Sequence, residues 1–150
     1  MKTAKEAVPE KCHPLVSTLP EEMKEALGTC TPFQELVKEH FLQKYLTETD
    51  AHKVAGRIDQ GEPGFLMVDV RAKKDFEEAR IKGAFSLPYD EIESRYRALP
   101  DDRELIVYCY SAECMLGARA AFKLATLGVY VREMNTGWAE WLKQGYPIES

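Results

Sequence analysis

The sequence has no apolar run approaching the roughly 18 residues that a membrane span requires. Behind the lysines of its first residues, MKTAKEAVPEK, no hydrophobic stretch follows, so the start does not read as a secretory signal. An excess of basic charge is also missing. Twenty Lys and Arg stand against 25 Asp and Glu, a formal net charge of −5. Such a chain repels nucleic acid and anionic lipid, which excludes both as expected partners. Cysteine and histidine are sparse, with 4 and 3 residues. Cys12, Cys30, Cys109 and Cys114 show no C-x-x-C spacing, and His13, His40 and His52 show no H-x-x-x-H spacing, so no metal site is expected. There is no internal repeat and no low-complexity segment. The expectation is a soluble, cytoplasmic protein without a cofactor.

What is present suits one globular domain with an appendage. The chain has 150 residues, 45% hydrophobic and 30% charged, enough to bury a core without disulfide staples. Residues 1–44 read as an N-terminal helical extension. Residues 1–14 are a polar leader, and Pro20 starts a short helix that Gly28 closes. Thr31-Pro32 opens a second helix with Phe33, Leu36, Val37, Phe41 and Tyr45 on one stripe. That stripe is expected to bury, either on the rest of the chain or on a second copy, so monomer and homodimer both stand.

From residue 45 onward strand and helix patterns alternate. Leu46-Thr47 reads as a short edge strand, and Thr49 or Asp50 caps a helix reaching about Ile58. Phe65 to Val70 and Leu105 to Cys109 are continuous apolar runs, the pattern of strands covered on both faces. A helix is expected over Lys73–Ala79, a short strand over Ala84–Leu87, and helical structure over 89–97. Leu116 to Leu127 is an Ala-rich helix stopped by Gly128, Val129 to Met134 alternates as a strand, and Gly137 to Lys143 is a last helix. The order predicts an α/β domain over 45–150, a parallel sheet of about five strands flanked by helices.

In such a sheet, ligands bind at the carboxyl ends of the strands. Asp69 and Arg71 stand at one such end and Cys109 at another. After Cys109 comes a short loop, Tyr110, Ser111, Ala112, Glu113, Cys114 and Met115, and then the Ala-rich helix. A loop entering a helix N-terminus offers free amides and the positive end of the helix dipole. A thiol held there is expected to have a lowered pKa and to act as a nucleophile, with the loop as an anion and persulfide cradle.

Four separated pieces resemble the rhodanese domain, in its order. They are Val68-Asp69-Val70-Arg71; Ala79 to Ala84 with Leu87-Pro88; Ile106-Val107-Tyr108-Cys109 with Ala118 to Gly128; and Gly137-Trp138-Ala139-Glu140-Trp141 with Gly145-Tyr146-Pro147. The resemblance covers about residues 45–148 and implies the three-layer rhodanese-like fold. It also implies a sulfurtransferase. The strand-end cysteine, here Cys109, takes a sulfane sulfur from thiosulfate or a persulfide donor and passes it to a thiol or cyanide. Asp69 and Arg71 become supports beneath the loop. The implied partners are a small-molecule sulfur donor, a thiol acceptor and a protein persulfide donor.

The loop departs from the family in two ways. Family loops often carry an arginine that holds thiosulfate, and the related phosphatases close their loop with one; positions 110–116 have none, and Glu113 is present instead. This argues against phosphatase chemistry and favours a neutral or protein-borne persulfide donor over thiosulfate. The second departure is Cys114, five positions after Cys109. It reads as a second thiol that resolves or relays the sulfur, as the nucleophile in place of Cys109, or as a small residue filling the loop-to-helix junction. An alternative for the whole domain is a catalytically silent module acting in protein interaction or in redox and sulfur sensing.

Overall fold

The computed structural model describes Glu21, residues 33–62 and residues 64–150. The leader, the helix expected over 20–28 apart from Glu21, and Cys12, His13 and Cys30 lie outside the described residues. The chain divides into two compact units, Met1–Tyr45 and Leu46–Ser150.

Most described residues of the first unit lie on α1 (Phe33–Thr47). Leu36, Phe41, Leu42 and Tyr45 along it are exposed. Val37, on the same stripe, is half-buried. Charged and polar neighbours explain why the helix tolerates the exposed residues: Lys38 Nζ bonds Glu35 at 3.2 Å and Gln43 Nε2 bonds Glu39 at 2.7 Å, short-range pairs that support a solvated helix.

The second unit is built on a five-stranded sheet. Its order is β1 (Glu48–Thr49), β6 (Arg132–Met134), β5 (Glu104–Tyr108), β2 (Phe65–Asp69) and β4 (Phe85–Ser86). Every pairing in it is parallel. The two central strands are the two continuous apolar runs, because only a strand covered on both faces needs apolar residues at every position. Along β5, Leu105 and Val107, with Cys109 just beyond, turn to one face, and Ile106 and Tyr108 turn to the other.

Each face is covered by helices. On the Cys109 side, Ile92 of α4 (Ile92–Arg95) and Ala120 and Leu124 of α5 (Leu116–Thr126) join the core. On the opposite side, Ala51, Val54 and Ala55 of α2 (Ala51–Asp59) pack with Trp141 of α6 (Gly137–Lys143). Asp50 caps α2, its carboxylate accepting the Lys53 amide at 2.9 Å. A short α3 (Lys73–Glu78) follows β2. No helix among the described residues is long and apolar enough to cross a membrane.

Local details differ from the sequence expectations. The edge strand falls at Glu48–Thr49 rather than at 46–47, because α1 continues through Thr47. The strand expected from Val129 begins only at Arg132: the Val129 amide is used in the α5 terminus, bonded to the Leu124 carbonyl at 2.9 Å. The helix expected over 89–97 is broken into 3₁₀ turns, Tyr89–Glu91 and Tyr96–Ala98, on either side of α4. A two-stranded antiparallel ribbon of β3 (Arg80–Ile81) and β7 (Ile148–Glu149) was not expected, since two-residue strands leave no periodicity to read.

Candidate active site

The topology marks one place on the sheet. From β2 the chain passes outward to β4, returns to β5 on the other side of β2, and moves on to β6. The carboxyl ends of β2 and β5 thus flank the switch point, where an open α/β sheet forms its crevice. Asp69 is paired in register with Tyr108; Cys109 comes directly after Tyr108, and Arg71 two residues after Asp69.

Cys109 is 3% exposed, beneath the loop that follows it. Its Sγ donates to the Cys114 carbonyl oxygen at 3.4 Å, and the Ser111 carbonyl stands at 3.9 Å. The Cys114 amide bonds the Ser111 carbonyl at 3.1 Å, which closes the turn. Amides of Gly117 and Ser111 point hydrogen bonds at the sulfur and favour its thiolate. Burial and the neighbouring Cys114 side chain work the other way and prevail, so the Cys109 thiol is pushed up to about 11. The lowered pKa expected from the sequence is corrected here. The cradle of amides exists, but desolvation of a thiol sealed beneath its own loop outweighs it.

The loop is held from below by α6. The Trp138 amide donates to the Cys109 carbonyl and the Ala139 amide to the Tyr110 carbonyl, both at 2.8 Å. These first-turn amides have no partner within their own helix, so they are free to anchor another segment. Gly137 makes the close approach feasible. A Cβ built on it would stand 2.7 Å from the Ser111 backbone nitrogen.

Asp69 and Arg71 form the floor. They are 0% and 2% exposed, a fully buried ion pair. Arg71 Nη2 bonds Asp69 Oδ2 at 2.8 Å and the Ala79 carbonyl at 2.7 Å. Its guanidinium also lies 4.3 Å from the Trp138 ring centre. The Tyr108 hydroxyl donates to Asp69 Oδ2 at 2.6 Å and accepts the Ile81 amide at 3.2 Å. Burial opposes the Arg71 charge, but the Asp69 carboxylate outweighs it and holds the guanidinium above its ordinary value. Burial and the same carboxylate push the Tyr108 phenol well up. Arg71 is thus committed to holding the strand ends together.

The other loop residues divide by direction. The Tyr110 hydroxyl bonds Asp75 at 2.6 Å, tying the loop to α3. Ala112, Glu113 and Met115 are exposed, and Cys114 is half-buried against the core cluster that contains Cys109. Arg119 sits over the Tyr89 ring at 4.9 Å.

Several contacts of the site escaped sequence reasoning. Gly117, Gly137 and Trp138 lie on helices whose approach to the loop is tertiary. Glu133 is the sharpest case. Its Oε1 and the Cys109 Sγ lie 2.7 Å and 3.4 Å from one point, the Cβ position that Gly117 lacks. The carboxyl and the thiol are therefore no farther apart than the sum of those distances. Burial first, and then Glu48, raise the Glu133 carboxyl above its ordinary range. The only sequence signal would have been its register with Val107, which needs the β5–β6 pairing to be known.

Comparison with known proteins agrees with the fold. The rhodanese-like domain pattern matches residues 50–144. A sulfurtransferase of Allochromatium vinosum is 31% identical over 107 residues, covering 69% of this chain and 94% of that protein. An HTH-type transcriptional regulator of Mycobacterium tuberculosis is 30% identical over 83 residues, 55% of this chain but only 37% of the regulator's length. Among solved structures, a Bacillus halodurans protein superposes with a TM-score of 0.70 at 29% identity, covering 78% of this chain and 86% of that one. The chain belongs to the rhodanese-like domain family. The family and the Allochromatium relative support a sulfurtransferase-family function.

Proposed function

We propose that the domain transfers sulfane sulfur through a Cys109 persulfide, taking it from a persulfide donor and handing it to a thiol or cyanide acceptor. The observation that carries this is the setting of Cys109: a thiol at the carboxyl end of the central strand, with the Ser111 and Gly117 amides aimed at its sulfur. In the loading step the Cys109 sulfur bonds to the outer sulfur of the donor. The donor's own S–S bond breaks, and the Cys109 proton leaves with the donor thiol. The outer sulfur of the new persulfide is then attacked by the acceptor.

The loop's charge favours such a donor over thiosulfate. Positions 110–116 supply no guanidinium, Arg71 is bound to Asp69, and the Glu133 carboxyl stands close behind the sulfur. A doubly charged anion lacks its usual clamp there, whereas a persulfide on a small thiol or on a protein brings less charge and its own leaving thiol. The test is intact mass spectrometry after separate exposure to thiosulfate and to a small-thiol persulfide. The persulfide should add one sulfur atom to Cys109 more readily than thiosulfate does. If the Cys109→Ser protein takes up sulfur as well as the unaltered one, the reading is wrong.

A further inference from the structure

We propose that Cys114 resolves the Cys109 persulfide, expelling its outer sulfur as hydrogen sulfide and leaving a Cys109–Cys114 disulfide. The domain would then also reduce sulfane sulfur to sulfide. This rests on Cys109 carrying sulfur as described above.

Three observations bring the two cysteines into one site. The loop curls until the Cys114 carbonyl accepts the Cys109 thiol at 3.4 Å. The Cys114 side chain lies near enough to raise the Cys109 thiol. Both are free thiols, and Cys114 packs against the core cluster that includes Cys109. The turn closed by the Cys114 amide and the Ser111 carbonyl, at 3.1 Å, holds this arrangement. A thiol so placed acts at a high effective concentration that no dissolved thiol matches.

The chemistry balances without an outside oxidant. The Cys114 sulfur attacks the inner sulfur of the persulfide, the atom contributed by Cys109. An S–S bond forms between the two cysteines, the bond to the outer sulfur breaks, and that sulfur leaves as HS⁻. It takes up the proton given by Cys114. The sulfane sulfur is reduced and the cysteine pair is oxidised. A dithiol reductant then returns the pair to thiols and is itself oxidised to a disulfide. Exposure also fits this order. Cys109 is sealed, whereas Cys114 is half-buried beside exposed Glu113 and Met115, on the side from which a reductant would approach.

The experiment loads the full chain with one equivalent of a small-thiol persulfide, removes the excess and follows two readouts. One is sulfide released. The other is the mass of the tryptic peptide spanning 104–119, which holds both cysteines. The unaltered protein should gain a sulfur atom on this peptide and then lose it. It should end lighter than the starting peptide by two hydrogens, with sulfide released in matching amount. The Cys114→Ser and Cys114→Ala proteins should retain the sulfur on Cys109 at least about tenfold longer, having lost the intramolecular thiol. Circular dichroism of both variants checks that they are folded, and two side chains of different polarity guard against a packing artefact. If the unaltered protein holds its sulfur as long as the variants do, or if the sulfur settles on Cys114 without a disulfide, resolution is refuted and sulfur carriage by Cys109 stands. If Cys109 never takes up sulfur, the sulfurtransferase reading itself fails.

Discussion

Replacing Gly137 by alanine would test how the reactive loop is held. Gly137 opens α6 at φ +71°, in the left-handed region. A Cβ there would stand 2.7 Å from Cα and N of Ser111 and 2.9 Å from its carbonyl carbon. All three are backbone atoms, so no rotamer change relieves the clash. The left-handed conformation costs an alanine roughly 1–2 kcal/mol. Displacing well-packed neighbours adds about 1–3 kcal/mol. The combined loss of about 2–5 kcal/mol is a large share of the roughly 5–15 kcal/mol that stabilises a typical domain. Gly128 provides the control. It has φ +82°, but a Cβ on it would meet nothing within 4 Å. Gly128→Ala therefore incurs the conformational cost alone. Urea denaturation of both variants isolates the clash as the difference between them. Because the displaced backbone belongs to Ser111, Gly137→Ala should also slow sulfur loading of Cys109 under conditions where both variants remain folded. If Gly137→Ala is no more destabilising than Gly128→Ala, the packing of α6 on the loop does not hold the site.

The raised Cys109 thiol makes a kinetic prediction. A raised pKa keeps the sulfur neutral to higher pH, so the reactive thiolate appears late. Alkylation of Cys109 by iodoacetamide, resolved from Cys114 by tandem mass spectrometry, should climb about tenfold per pH unit through the neutral and mildly alkaline range. Its midpoint should lie near about 11, and a midpoint below the ordinary 9.0 would show that the amide cradle dominates after all. The buried floor makes a stability prediction. Asp69→Asn leaves the buried Arg71 guanidinium without its counter-charge, a loss of about 3–5 kcal/mol in urea denaturation. Adding Arg71→Gln should recover much of it, and a single-variant loss under about 1 kcal/mol would contradict the buried-pair argument.

The parts of this protein that local chemistry dictates were legible in the chain. Phe65 to Val70 and Leu105 to Cys109 read as doubly covered strands because every position must shed water, and they are the two central strands. Cys109 could be placed at a strand end because the apolar run stops there and a loop and a helix follow. The Ala-rich α5 and its Gly128 stop were equally plain, since helix period and a left-handed glycine are properties of neighbouring residues. Tertiary structure alone decided the electrostatics and the support of the site. The expected low thiol pKa follows from a loop and a helix start, but the observed rise comes from burial, which the loop and the packed helices create together. The Arg71 guanidinium could have faced a ligand, yet the fold turns it onto Asp69 and Trp138. The α1 stripe follows a helical period, but periodicity names a face and not what covers it. Glu133 behind Gly117, and α6 amides on the Cys109 and Tyr110 carbonyls, join segments that only the crossovers bring together. The sequence by itself determined the strands and the position of the thiol, because those depend on near neighbours. Its reactivity was decided by the burial that the packed loop and helices impose on it.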